Sequence, residues 1–262
     1  QDLEPGHRDL VGRGPSPHGG PARPAADAAS LRRVQVRDVV AMERSNNDPV
    51  EAIRNDLERT FADMPMVVPW KPQIFRILQQ YAADSPDIGY TQGMNYVAAA
   101  MVLKSPNSED LARRRFHEAM LQFGGFWSDG FPLLNFGVAL FSQLAEQHLQ
   151  ALWEHLVGSG VEPLSYLPNG WLSLFGKWLP LPAVMEVMDL ILECGIRGVL
   201  GVTLALFQTQ QNRLLSAKGM ENLLELINQD MRTSPLDGDL LVKCARLWLP
   251  RVDAALQAGC LA

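Results

Sequence analysis

The stretch beginning at Asp48 is the feature that most constrains this chain. Asp48 is a side-chain acceptor in the N-cap position, and Pro49 suits a first helical position, where an N–H is not needed. Glu51 stands three residues after Asp48, the spacing of a capping box. Val50, Ile53, Leu57 and Phe61 then recur at helical intervals on one face. A stripe of that kind must lie against other helices to be buried. The helix is predicted to stop near Asp63-Met64-Pro65.

The same period continues downstream, with no convincing period-two segment. A second helix is predicted over 71–83, with Ile74, Ile77, Leu78 and Tyr81 inward. An apolar helix follows from Tyr96 to Leu103, closed by Lys104-Ser105-Pro106, and then an amphipathic one over 108–123. Helical segments are expected around 133–157 and 170–179, from Pro182 to Cys194, and over 196–214, 218–230 and 238–248. No repeat of fixed period argues against a regular solenoid. The expectation is an all-α fold without a sheet: one elongated domain of two tightly packed helical subdomains, with a dozen or more helices. Residues 1–30, rich in Pro, Gly, Ala and Arg without periodicity, read as a flexible leader. The domain is placed at 31–250, in halves of about 31–130 and 131–250, with 251–262 as a tail.

Composition removes several function classes. A hydrophobic content of 47% and a charged content of 20% belong to a globular chain. The net charge of −6 argues against nucleic acid, whose phosphates require a basic surface. The cluster Arg113-Arg114-Arg115 is flanked by Glu109, Asp110 and Glu118, so it reads as a mixed, solvated helix face. Three cysteines without C-x-x-C spacing fit a reducing compartment. The apolar run near Ile196–Phe207 is too short to span a bilayer, and the N-terminus does not resemble a signal peptide. A soluble, cytoplasmic protein is expected. His117, His148 and His155 lack metal-ligand spacing, so no metal site is expected. No nucleophile elbow or phosphate-binding glycine loop is present.

What remains is polar and local. Gly89-Tyr90-Thr91-Gln92-Gly93-Met94-Asn95 interrupts the helical pattern, presenting one amide between a tyrosine and a glycine. Upstream, Asp56 and Arg59 are spaced i, i+3 and can touch. Taken singly, each has a plain reading. Arg59 can be an exposed helix residue paired with Asp56 or Glu58, and Gln92 a loop residue capping the next helix.

Together, Ile53-x-x-Asp56-x-x-Arg59-Thr60-Phe61 and Tyr90-x-Gln92-Gly93-Met94-Asn95 resemble the paired fingerprint of TBC domains, the GTPase-activating domains for Rab-family small GTPases. Leu78-x-x-Tyr81 leading into Pro86-Asp87-Ile88-Gly89-Tyr90 continues the resemblance. Trp171-Leu172-x-x-Phe175, Leu181-Pro182 and Asp189-Leu190-Ile191-Leu192-x-x-Gly195 resemble the family's third block. The similarity covers about 31–250. Two departures stand out: the family's opening motif has no clean counterpart near Gly6-His7-Arg8-Asp9-Leu10, and position 91 is Thr where many members carry Cys.

The resemblance implies a GTPase activator with a dual-finger mechanism: Arg59 as arginine finger and Gln92 as glutamine finger. Asp56 is expected to hold the guanidinium or tie its helix to the 89–95 turn, and Tyr90 to orient that turn. Gly93 is expected to let the partner's backbone approach, Asn95 to cap the following helix, and Met94 to support the same turn. Thr60 reads equally as support or as a plain helix-terminal residue. The implied partner is a GTP-bound Rab-family GTPase, which brings the GTP and magnesium. The chain itself is expected to need no cofactor and to have no independent enzymatic activity. Regulation of vesicle trafficking, with recruitment to endomembrane surfaces, follows as an expectation. The alternative is a catalytically silent scaffold that binds GTPases or membrane-traffic proteins.

Overall fold

The computed structural model describes residues 48–233 and 236–259. The expected leader, the approach to position 31 and the residues near Gly6 lie outside them. The regular elements of the described residues are all helical, with no strand among them.

Helix α1 (Pro49–Arg59) starts as its sequence demands, with Asp48 Oδ1 accepting the Val50 N–H at 3.0 Å. It stops at Arg59, earlier than predicted. Thr60 is extended and Phe61 turns to a φ of 46°, a left-handed conformation that cannot continue the ladder. A 3₁₀ turn (Pro65–Trp70) leads into α2 (Lys71–Asp84), whose Ile74, Ile77, Leu78 and Tyr81 are buried as expected. Gly89, at a φ of 64°, ends the passage from α2, and α3 (Met94–Leu103) begins behind Gly93. Every residue of α3 from Met94 to Val102 is buried. It is the central rod, packed on α1, α2 and α4 (Glu109–Phe123).

Beyond it lie α5 (Pro132–His148), α6 (Gln150–Gly158), α7 (Leu167–Trp171) and α8 (Leu181–Cys194). Next come α9 (Ile196–Thr209), α10 (Gln211–Ser216), α11 (Met220–Glu225), a π turn (Leu226–Asp230), α12 (Met231–Thr233) and α13 (Gly238–Gly259).

Several predicted helices are broken here for packing reasons. The 133–157 segment divides at the buried Leu149, and the 196–214 segment at the buried Gln210. In the 170–179 segment, Leu174 and Phe175 take φ values of 42° and 71°. Both are fully buried, Phe175 with its ring centroid 6.1 Å from that of Trp178, which in turn packs on Phe207, and that packing overrides local helix propensity. The last helix is longer than expected. It runs through Pro250 to Gly259, so residues placed in a tail are helical, with Val252 buried and Asp253 paired to Arg197. Burial against α9 and α8 outweighs the hydrogen bond that Pro250 forfeits.

Candidate functional site

Asp56 sits on the last full turn of α1 with 6% of its surface exposed, a poor place for a lone carboxylate. It is satisfied three times over. Oδ1 accepts from the Arg59 guanidinium at 2.5 Å and from Gln92 Nε2 at 3.3 Å; Oδ2 accepts from the Tyr90 hydroxyl at 2.6 Å. The i, i+3 spacing brings Arg59 to this oxygen, and the turn before α3 brings the other two. Glu58, the other partner considered for Arg59, instead binds Lys71 at 3.0 Å.

Arg59 and Gln92 therefore meet at one oxygen atom. Arg59 keeps 66% of its side chain exposed, and Gln92 is half-buried, so both heads stand at the surface while their base is held from below. Burial and the adjoining Asp56 carboxylate push the Tyr90 hydroxyl's pKa far up, so it remains a donor to Asp56 at physiological pH.

The turn is locked to α1 by a second, buried link. Thr60 Oγ1 donates to the Asp56 carbonyl at 2.8 Å and accepts from Asn95 Nδ2 at 2.7 Å. Asn95 Oδ1 in turn accepts the Gly93 N–H at 2.9 Å. Asn95 thus does more than cap: it joins the helix that carries Arg59 to the turn that carries Gln92. Thr60, left undecided in the sequence, is the other half of that joint. The signal available was its place beside Arg59, but its partner lies 35 residues away.

Gly93 is constrained from within the chain. Its φ is 109°, and a Cβ there would lie 2.2 Å from the Leu172 carbonyl oxygen. Here the close approach is that of this chain's own backbone. That carbonyl also accepts from the Trp127 indole at 3.3 Å, so the third sequence block braces the turn. Met94, fully buried, places its sulfur 3.4 Å from the Thr91 N–H. The three histidines among the described residues are engaged elsewhere: His155 on the Ala217 carbonyl, His117 against Tyr81 and His148 against Trp248.

The fold and this arginine–glutamine cluster define an all-helical domain that offers a cation and an amide at one surface point. The sequence matches the Rab-GTPase-TBC domain family over residues 28–215, and the chain belongs to that family. It is 25% identical over 193 residues to TBC1 domain family member 4 of Mus musculus, covering 71% of this chain and 15% of that protein. With the GTPase-activating protein GYP5 of Saccharomyces cerevisiae, identity is 25% over 183 residues, covering 68% of this chain and 20% of the other. The chain thus spans about a fifth or less of these relatives' length. Among solved structures, the Chlamydomonas flagellar RabGAP TBC domain superposes with a TM-score of 0.66 at 19% identity, over 84% of this chain and 76% of that one. The Ypt/Rab-GAP domain of Gyp1p gives 0.64 at 18%, over 86% and 82%. At those identities the superpositions establish the shared fold.

Proposed function

We propose that this chain accelerates GTP hydrolysis by a Rab-family GTPase, with Arg59 and Gln92 as the two groups it contributes. The observation that carries the reading is their convergence on Asp56 Oδ1 with both heads at the surface. Membership of the Rab-GTPase-TBC family supports it.

Hydrolysis builds negative charge on the phosphate oxygens as the β–γ bridge breaks. A cation delivered there lowers the transition state more than the ground state. Arginine suits the task because it stays charged and offers a forked set of donors. Asp56 uses one edge of the fork, which orients the guanidinium and leaves its other N–H groups for phosphate. Gln92 donates to Asp56 through its nitrogen, so its carbonyl oxygen is the acceptor left to align the attacking water. Neither residue acts as acid or base. GTP and magnesium come with the partner, so the chain works as an activator in trans, at membranes where such GTPases govern vesicle traffic. Among the described residues no helix is long and apolar enough to cross a membrane.

The test is a panel of GTP-loaded Rab proteins, each assayed with and without catalytic amounts of this chain. Acceleration of one or more members is expected. Tight binding to a GTP-loaded member without turnover would instead favour a silent scaffold.

A further inference from the structure

The turn that ends α1 carries an unusual load. Phe61, two residues after Arg59, holds a φ of 46°, which is costly for a residue with a Cβ and persists only where surroundings enforce it. Its ring is fully buried, edge-on to Tyr96 at 5.0 Å between centroids. Over the ring, 5.5 Å from its centroid, lies the guanidinium of Arg232 from α12. The same guanidinium pairs with Asp63, 169 residues away in the chain and inside the same turn. It is also near enough to Tyr96 to offset part of the rise that burial imposes on the Tyr96 hydroxyl's pKa. That hydroxyl donates to the backbone carbonyl of Arg59 itself at 3.3 Å.

Arg232 is presented by a firm base. It follows the π turn, a form that recurs at functional sites. Ile227 and Met231 are fully buried, and Asn228 accepts from Asn169 Nδ2 at 3.1 Å.

We infer that Arg232 is a positioning residue for the arginine finger: it clamps the strained Phe61–Asp63 turn from the far end of the chain and so fixes where Arg59 points. The inference rests on the reading of Arg59 as a finger. An exposed ion pair such as Arg232–Asp63 adds little stability by itself. The combined grip on a ring, a carboxylate and the neighbourhood of a hydroxyl is what a flat guanidinium can supply and a lysine cannot. Displacing a catalytic group by an ångström is enough to slow chemistry about a hundredfold without touching the binding surface.

The experiment measures kcat and KM of the full chain for a panel member that the wild type activates. Arg232→Met keeps the aliphatic stem over Phe61 and removes the charge. A fall in kcat of about tenfold with KM within about twofold is expected, since the lost feature acts on finger geometry and not on docking. Arg232→Lys restores the ion pair without the planar face and should recover only part of the rate. Asp63→Asn, at an exposed carboxylate that cannot unfold the protein, should lower kcat by about threefold in the same sense. It carries the test if Arg232→Met melts early. Unchanged kcat in Arg232→Met or, if that variant is unfolded, in Asp63→Asn overturns the inference, as does a loss confined to KM. A dead Arg59→Ala beside a fully active Arg232→Met removes this inference alone. An Arg59→Ala that keeps wild-type kcat, or a panel with no responding member, removes the finger reading and this inference with it.

Discussion

The hydroxyl of Tyr90 and the carboxylate of Asp56, 34 residues apart in the chain, meet at 2.6 Å beneath the arginine–glutamine pair. Asp56 is the common acceptor for three side chains from two elements, so its removal should be felt by all of them. Asp56→Ala leaves the Tyr90 hydroxyl without its acceptor and Arg59 without its tether. A stability loss of about 2 kcal/mol in urea titration is expected, from the unpaired donors. GTPase activation should fall by about a hundredfold at matched folded fraction, since both fingers lose their orientation. Tyr90→Phe, which removes one donor only, should cost about 1 kcal/mol and less activity. If Asp56→Ala activated like wild type, Asp56 would have no part in holding the fingers.

Gly93→Ala tests the brace between the finger turn and the third sequence block. The new methyl would sit 2.2 Å from a backbone carbonyl at a φ of 109°, so both strain and collision oppose it. A loss of about 3 kcal/mol or more is expected, because backbone cannot step aside as a side chain can. A melting temperature within a degree or two of wild type would show that the turn does not sit on Leu172.

Thr60→Val replaces a buried hydroxyl with a methyl of nearly the same size. It takes from Asn95 Nδ2 the hydroxyl that accepts from it at 2.7 Å inside a buried joint. Such an orphaned donor costs about 1–3 kcal/mol, measurable as a shift in the urea midpoint with an unchanged slope. An unchanged midpoint would remove the joint from the account.

Burial is the leading cause raising the hydroxyl pKa of each of the chain's four tyrosines, Tyr81, Tyr90, Tyr96 and Tyr166. A free phenol titrates near about 10. Because the folded values are raised, their contribution to stability is complete below that pH. It is lost as pH climbs above it, since only the unfolded chain then releases the protons. Ultraviolet titration should therefore show phenolate appearing together with alkaline unfolding. A phenol ionising reversibly near its free value in the intact fold would contradict this.

The start of α1 was legible because its causes are local: Asp48 and Pro49 act on the backbone beside them. Asp56 beneath Arg59 was legible for the same reason, being one helical step away. The end of α1 was not. Phe61 leaves the helix with its ring edge-on to Tyr96 and beneath Arg232, and neither is visible from neighbouring sequence. Gly93 was recognisable as special, yet its reason, the Leu172 carbonyl, lies 79 residues downstream. The breaks at Leu149 and Leu174 likewise answer to burial, which a periodicity does not report. Sequence singled out the polar side chains that meet at Asp56; the distant contacts that hold them came only with the fold.

The most direct measurement is single-turnover GTP hydrolysis by a responsive Rab protein with wild-type chain, Arg59→Ala and Gln92→Ala, all checked for an unchanged circular-dichroism spectrum. The account predicts that Arg59→Ala loses about a thousandfold or more of the acceleration, as a removed arginine finger does. Gln92→Ala should lose about a hundredfold, the scale of one lost transition-state hydrogen-bond partner. Near-full acceleration by either variant would contradict the two-finger mechanism.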